Sequence, residues 1–171
     1  MLKTVTRRHA IGAAAIAAQL EAASWQSLTP AQARDIEAIT SQIIPTTETP
    51  GAREAGVIHF IDRALATWEA DKRAAYRTGL ADLHKIRRQL FPGSTTVAGL
   101  SEAELRQLIT NIESTPFFEL LRTHTALGFL GSPTHGGNRD GIGWAHIGFE
   151  HRMSFQPPFG HYDAEAGRER E

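Results

Sequence analysis

Apolar residues recur along this chain at spacings of three and four, and no run alternates as a half-buried strand requires. That pattern restricts the fold to packed helices. Ile36, Ile39 and Ile43 share one face of a first segment, which Thr29 can cap, Pro30 can open and Pro45 must end. Val57, Ile61, Leu65 and Trp68 share a face of a second helix, expected from Arg53 to Trp68. A third runs from Asp71 to Phe91 with Tyr76, Leu80, Leu83, Ile86 and Leu90 as its stripe, and Lys72, Arg73, Arg77, Lys85, Arg87 and Arg88 mostly off it. Ser101 and Glu104 form a capping box ahead of Leu105, Leu108, Ile109 and Ile112. Pro116 then sits in the first turn of a fifth helix marked by Phe117, Leu120, Leu121, His124 and Leu127. Turn-rich loops at Thr46–Gly51 and Ser94–Gly99 separate these segments. The expectation is an all-α fold: a compact, bundle-like domain of about five helices, followed by a long irregular segment rich in Gly, His and aromatics.

A length of 171 residues favours one domain. The absence of cysteine excludes disulfides, thiolate zinc sites, covalently attached haem and cysteine-ligated clusters. A formal net charge of −1 argues against nucleic-acid binding or attachment to an anionic lipid surface. No apolar run is long enough to span a membrane. Residues 1–24 read instead as an export signal: Lys3, Arg7 and Arg8 precede the mildly apolar Ala10–Leu20. Thr6-Arg7-Arg8-His9-Ala10-Ile11 is similar to a twin-arginine signal, which addresses folded proteins to the periplasm. Glu21 occupies the position that a small residue would need for cleavage after Ala23. The expected organisation is a signal over 1–24, one all-α domain over 29–165 and a charged tail over 166–171.

From Gly128 the helical period stops. Residues 128–144 contain six of the 15 glycines, and His135, Asn138, Arg139, Asp140 and Trp144 lie among them. His146, Phe149, Glu150, His151, Phe155, Pro157, Pro158, Phe159, His161 and Tyr162 follow. A stretch of this length without periodicity usually carries function or a partner. It is not a phosphate loop, because Gly131 and Gly136 are followed by Gly137-Asn138 rather than Lys and a hydroxyl residue. It is not a dinucleotide fingerprint, because His146 stands where the third glycine belongs. His124, His135, Asp140, His146, Glu150, His151 and His161 are conceivable metal ligands without a recognised spacing. His124 alone reads as a hydrogen-bonded core residue. Asn138-Arg139-Asp140 reads either as a turn held by its own side chains or as an arginine anchor for a partner.

Ile43-Ile44-Pro45-Thr46-Thr47-Glu48-Thr49-Pro50-Gly51-Ala52 and Ala55-Gly56-Val57 with Phe60-Ile61-Asp62 are joined by Gly137-Asn138-Arg139-Asp140-Gly141, Gly143-Trp144 and Gly148-Phe149. Phe155-Gln156-Pro157-Pro158-Phe159-Gly160 with Tyr162-Asp163 completes the set. Through these pieces the chain resembles the gluconate 2-dehydrogenase subunit 3 family over roughly residues 30–165. The resemblance implies a small, non-catalytic subunit of a periplasmic sugar or glycoside dehydrogenase. The large subunit would be a flavoprotein of glucose–methanol–choline type holding FAD, often working with a cytochrome c, and no cofactor would reside in the present chain. The small subunit would support folding, export or stability of the large one. The expected partner contacts are His135, Asn138, Arg139, Asp140, Trp144, Phe155, Phe159 and Tyr162, with Arg7 and Arg8 in the export signal. Two rivals remain at this stage. One is a stand-alone periplasmic metalloenzyme using the late histidines. The other is a subunit whose His135, Asn138 or His146 completes the large subunit's substrate pocket.

Overall fold

The computed structural model describes residues 24–152 and Ser154, and among these there is no strand. Six helices follow in chain order: α1 (Pro30–Ile43), α2 (Val57–Ala66), α3 (Arg73–Leu90), α4 (Glu102–Ile112), α5 (Pro116–Leu130) and the short α6 (Ile142–His146). Single 3-10 turns at Ala70–Lys72, Pro133–His135 and Arg139–Gly141 link them. The five longer helices match the apolar stripes. The sixth lies inside the stretch expected to be irregular, where five residues are too few to show a period.

Local chemistry sets the ends. Thr29 accepts from the Gln32 amide, and the Gln32 side chain accepts from the Thr29 amide, so α1 starts on a full capping box. Ser101 and Glu104 do the same for α4. Thr115 caps α5 through the Phe118 amide, with Pro116 in its first turn. The second helix begins at Val57 and not at Arg53. Residues 52–56 form a tight turn, and Gly56 ends it at φ 67°. That left-handed backbone suits glycine and interrupts any helix.

α2 forms the centre and packs against both α1 and α5, while α3 and α4 pair on the outside. Val57, Ile58, Phe60, Ile61, Ala64 and Leu65 are all buried, which leaves α2 no solvent stripe of its own. Ile36 and Ile39 of α1, Tyr76, Leu80 and Leu83 of α3, Leu108 of α4 and Leu121 of α5 complete the core. Trp68 departs from its expected face: α2 ends at Ala66, and Trp68 is 49% exposed. Leu127 also departs from the α5 stripe and is 47% exposed.

Buried polar residues tie the loops to this core. Asp62 accepts hydrogen bonds from three successive backbone amides, Gln26, Ser27 and Leu28, at 2.8–2.9 Å. Asp35 accepts from the Ala98 amide at 2.9 Å and lies 3.2 Å from His84 Nε2, joining α1 to the 92–100 loop and to α3. Arg87, expected off the α3 stripe, is buried and donates to the Ser94 carbonyl just beyond the helix end. Its role explains its position: it closes the loop that Pro92-Gly93 opens.

His124 is the core histidine that its place on α5 implied. Its Nδ1 lies 2.8 Å from the Tyr76 hydroxyl, and its Nε2 contacts the Glu69 carboxylate. The Tyr76 ring stacks on it and Phe60 meets it edge-on. Burial holds the imidazole below the ordinary histidine range despite Glu69, and it pushes the Tyr76 phenol up. Burial, aided by the charge of Arg139, lowers His59 as well. The unfolded chain therefore takes up protons before the folded one does as pH falls below about 6.5. Stability should be level above pH 7 and decline below about pH 6.5, with a slope of up to about 1.4 kcal/mol per pH unit for each histidine. Glu37 acts oppositely at lower pH, since burial raises its carboxyl and folding then favours its protonated form. Thermal unfolding at pH 7.5 and 5.5 checks this, and His124→Gln should show a smaller difference between the two.

Candidate functional site

The glycine-rich segment folds back on the C-terminal end of α5, and glycine makes that possible. A Cβ on Gly137 would lie 2.1 Å from the Gly128 carbonyl oxygen, and one on Gly143 would lie 1.8 Å from that of Phe129. Backbone therefore packs on backbone at both points. The last carbonyls of a helix have no partners within it. Here the Asn138 side chain donates to the Gly131 carbonyl at 2.8 Å and the Trp144 indole donates to that of Leu130 at 2.7 Å. Asn138 Oδ1 in turn accepts from the Gly143 amide at 2.7 Å, which starts α6. The Arg139 amide reaches the Ala55 carbonyl, and the Arg63 guanidinium donates to Thr134. Residues 131–146 are thus a clasp joining the start of α2 to the end of α5.

The described histidines of this region, His135, His146 and His151, are ring partners rather than a cluster. His135 meets Trp68 edge-on, His146 meets Phe129, and His151 stacks on Trp144 at 4.9 Å. His124 lies in the core. Among the described residues no three His, Asp or Glu side chains gather as a metal site would need. Of the conceivable ligands, His124, His135, Asp140, His146, Glu150 and His151 do not come together, and His161 lies outside the described residues.

The expected contact residues divide. Asn138 is fully buried and its side chain is committed to the clasp, so it has no surface to offer a partner. Of the two readings of Asn138-Arg139-Asp140, the self-held turn describes Asn138. Arg139, Asp140 and His135 are exposed, and Trp144 is half-buried. The Arg139 side chain lies over Gly56, where a Cβ would come within 2.6 Å of Nε. Phe155, Phe159, Tyr162, Arg7 and Arg8 lie outside the described residues.

Two features escaped the sequence reading. The first is an apolar surface. Leu127 and Leu130 lie three apart on the outer face of α5, the Trp144 indole seats on the Leu130 carbonyl, and Phe149 packs on Trp144 at 5.3 Å. Leu127, Leu130, Ile147 and Phe149 are each at least 40% exposed, as is Trp68 beside His135. The available signal was α5 itself: a helix apolar on nearly every side has more apolar face than one core can take. The second is a cavity of about 270 Å³ lined by Thr49, Pro50, Asp140, Ile142, Ala145 and His146. The 45–52 loop supplies one wall. It is held by Glu54, which accepts from the Thr46 hydroxyl and the Gly51 amide, and by the Ala52 amide on the Ile44 carbonyl. Two motif-bearing segments some ninety residues apart in sequence therefore meet at one hollow.

No helix among the described residues is long and apolar enough to cross a membrane. A family model described as gluconate 2-dehydrogenase subunit 3 matches residues 30–150, which hold all six helices. No curated protein and no solved structure matches the chain.

Proposed function

Since the chain belongs to the gluconate 2-dehydrogenase subunit 3 family, the subunits of a dehydrogenase complex, we propose that it is the small, non-catalytic subunit of a periplasmic, FAD-dependent sugar or glycoside dehydrogenase. Its large subunit would be a flavoprotein of glucose–methanol–choline type, in some complexes joined by a cytochrome c. The flavin and the substrate belong to that larger chain. The small subunit binds it and supports its folding, export or stability.

The observation that carries this reading is the apolar surface around Leu127, Leu130, Ile147 and Phe149. Contiguous exposed apolar side chains of this kind mark interaction sites. Aromatics are enriched at such interfaces, and Trp144 packs on Phe149 and donates to the Leu130 carbonyl. The twin-arginine-like Arg7-Arg8 pair supports export of an already folded partner.

Mild affinity purification of the full-length chain from its host, with mass spectrometry and a visible spectrum, tests the reading. A co-purifying chain of glucose–methanol–choline type with flavin absorption is expected. A lone, colourless protein would overturn it. Leu127→Glu should weaken that association at least tenfold, about 1.4 kcal/mol, while the melting temperature stays near wild type because the side chain already faces solvent.

A further inference from the structure

The hollow between the 45–52 loop and α6 has a specific chemistry. Pro50, Ile142 and Ala145 make apolar walls, and Asp140 stands at it with an exposed side chain. The Asp140 carboxylate has no hydrogen-bond or ion-pair partner among the described residues. Its backbone sits at φ 56°, in the left-handed region, although it is not glycine. Glycines occupy the neighbouring positions of the clasp freely, and Gly141 next to it has φ 69°. An aspartate is therefore held where glycine would be unstrained, and the clasp hydrogen bonds of Asn138 keep it there. Its neighbour Arg139 turns away over Gly56 and does not neutralise it.

At about 270 Å³ the hollow falls just below the range of sites that take whole small molecules, about 300–1,000 Å³. One long side chain fits within it. We propose that it receives an arginine of the large dehydrogenase subunit, with Asp140 accepting the guanidinium; this rests on the partnership proposed above. Arginine fits on two counts. Its methylene stem can lie along Pro50, Ile142 and Ala145 while the charged head stays at the rim. Its planar fork pairs with a single carboxylate through two parallel hydrogen bonds. Arginine is also enriched at protein interfaces, where lysine is depleted.

The test uses the co-purified complex and three variants of the full chain, each checked for its melting temperature. Asp140→Asn keeps the left-handed backbone and removes the charge; it should weaken binding about tenfold and flatten its salt dependence. Asp140→Gly should weaken binding as much while raising the melting temperature, because the strain is relieved. Asp140→Lys should weaken it further by placing like charges together. If Asp140→Asn and Asp140→Lys bind within twofold of wild type with unchanged salt dependence, while Leu127→Glu still weakens the complex, the arginine assignment is overturned and the partnership stands. If the wild-type chain captures no dehydrogenase subunit, both fall together.

Discussion

Gly143→Ala should destabilise the fold by about 3 kcal/mol, the upper end for forcing an extra methyl into a packed site. The added Cβ would lie 1.8 Å from the Phe129 carbonyl oxygen and 3.2 Å from Asn138 Oδ1. Neither atom can yield alone. The first is the backbone of α5, and the second accepts the Gly143 amide itself. The clasp must lift from α5, which would strip the Leu130 and Gly131 carbonyls of their donors. For a domain of this size the loss corresponds to a fall of roughly 10 °C in melting temperature. Gly93→Ala is the control: nothing lies within 4 Å of its Cβ position, and its φ is not in the left-handed region. It should be neutral or stabilising by up to about 1 kcal/mol, through a smaller unfolded-state entropy.

Asp62→Ala should cost about 3 kcal/mol as well, by a different route. Three backbone amides lose a charged acceptor at once, and hydrogen bonds to charged groups contribute about 1.5–3 kcal/mol each. The total is less than the sum, because residues 24–28 can release into water once freed. Leu28 leaves the core with them. Asp62→Asn should recover part of the loss, since its amide oxygen can still accept. Equilibrium denaturation of the three proteins measures both steps, and the same stability for Asp62→Ala as for wild type would contradict the account.

The helices were legible because their signals are local. Capping residues, prolines and three-four stripes act within one or two turns, and five helices appear where those signals lie. The errors share a different cause. Arg53 seemed to open α2 because nothing in its neighbours announces that Gly56 adopts a left-handed backbone. Trp68 and Leu127 share faces with core residues by counting, but the helix ends before the one, and no element among the described residues covers the other. Asp35, Asp62 and Arg87 are buried against periodicity because each serves a loop that only tertiary folding brings near. The clasp shows the limit most clearly. Its glycines were visible, but their purpose depends on carbonyls of α5 that sequence order does not pair with them. The residue types of the 138–144 stretch were legible, and not which of their side chains face solvent. Asn138 turned inward while Asp140 turned out.

The anchoring by Asp62 and Asp35 has a consequence for amide hydrogen exchange. The amides of Gln26, Ser27, Leu28 and Ala98 belong to no helix, yet each is bound to a carboxylate that is itself buried. They open only when a segment detaches from the helix pair beneath it, so exchange there reports a sub-global event rather than loop fraying. The stretch around Leu28 should exchange with the slowness of a helix end, and it should become fast in Asp62→Ala while the centre of α2 remains protected.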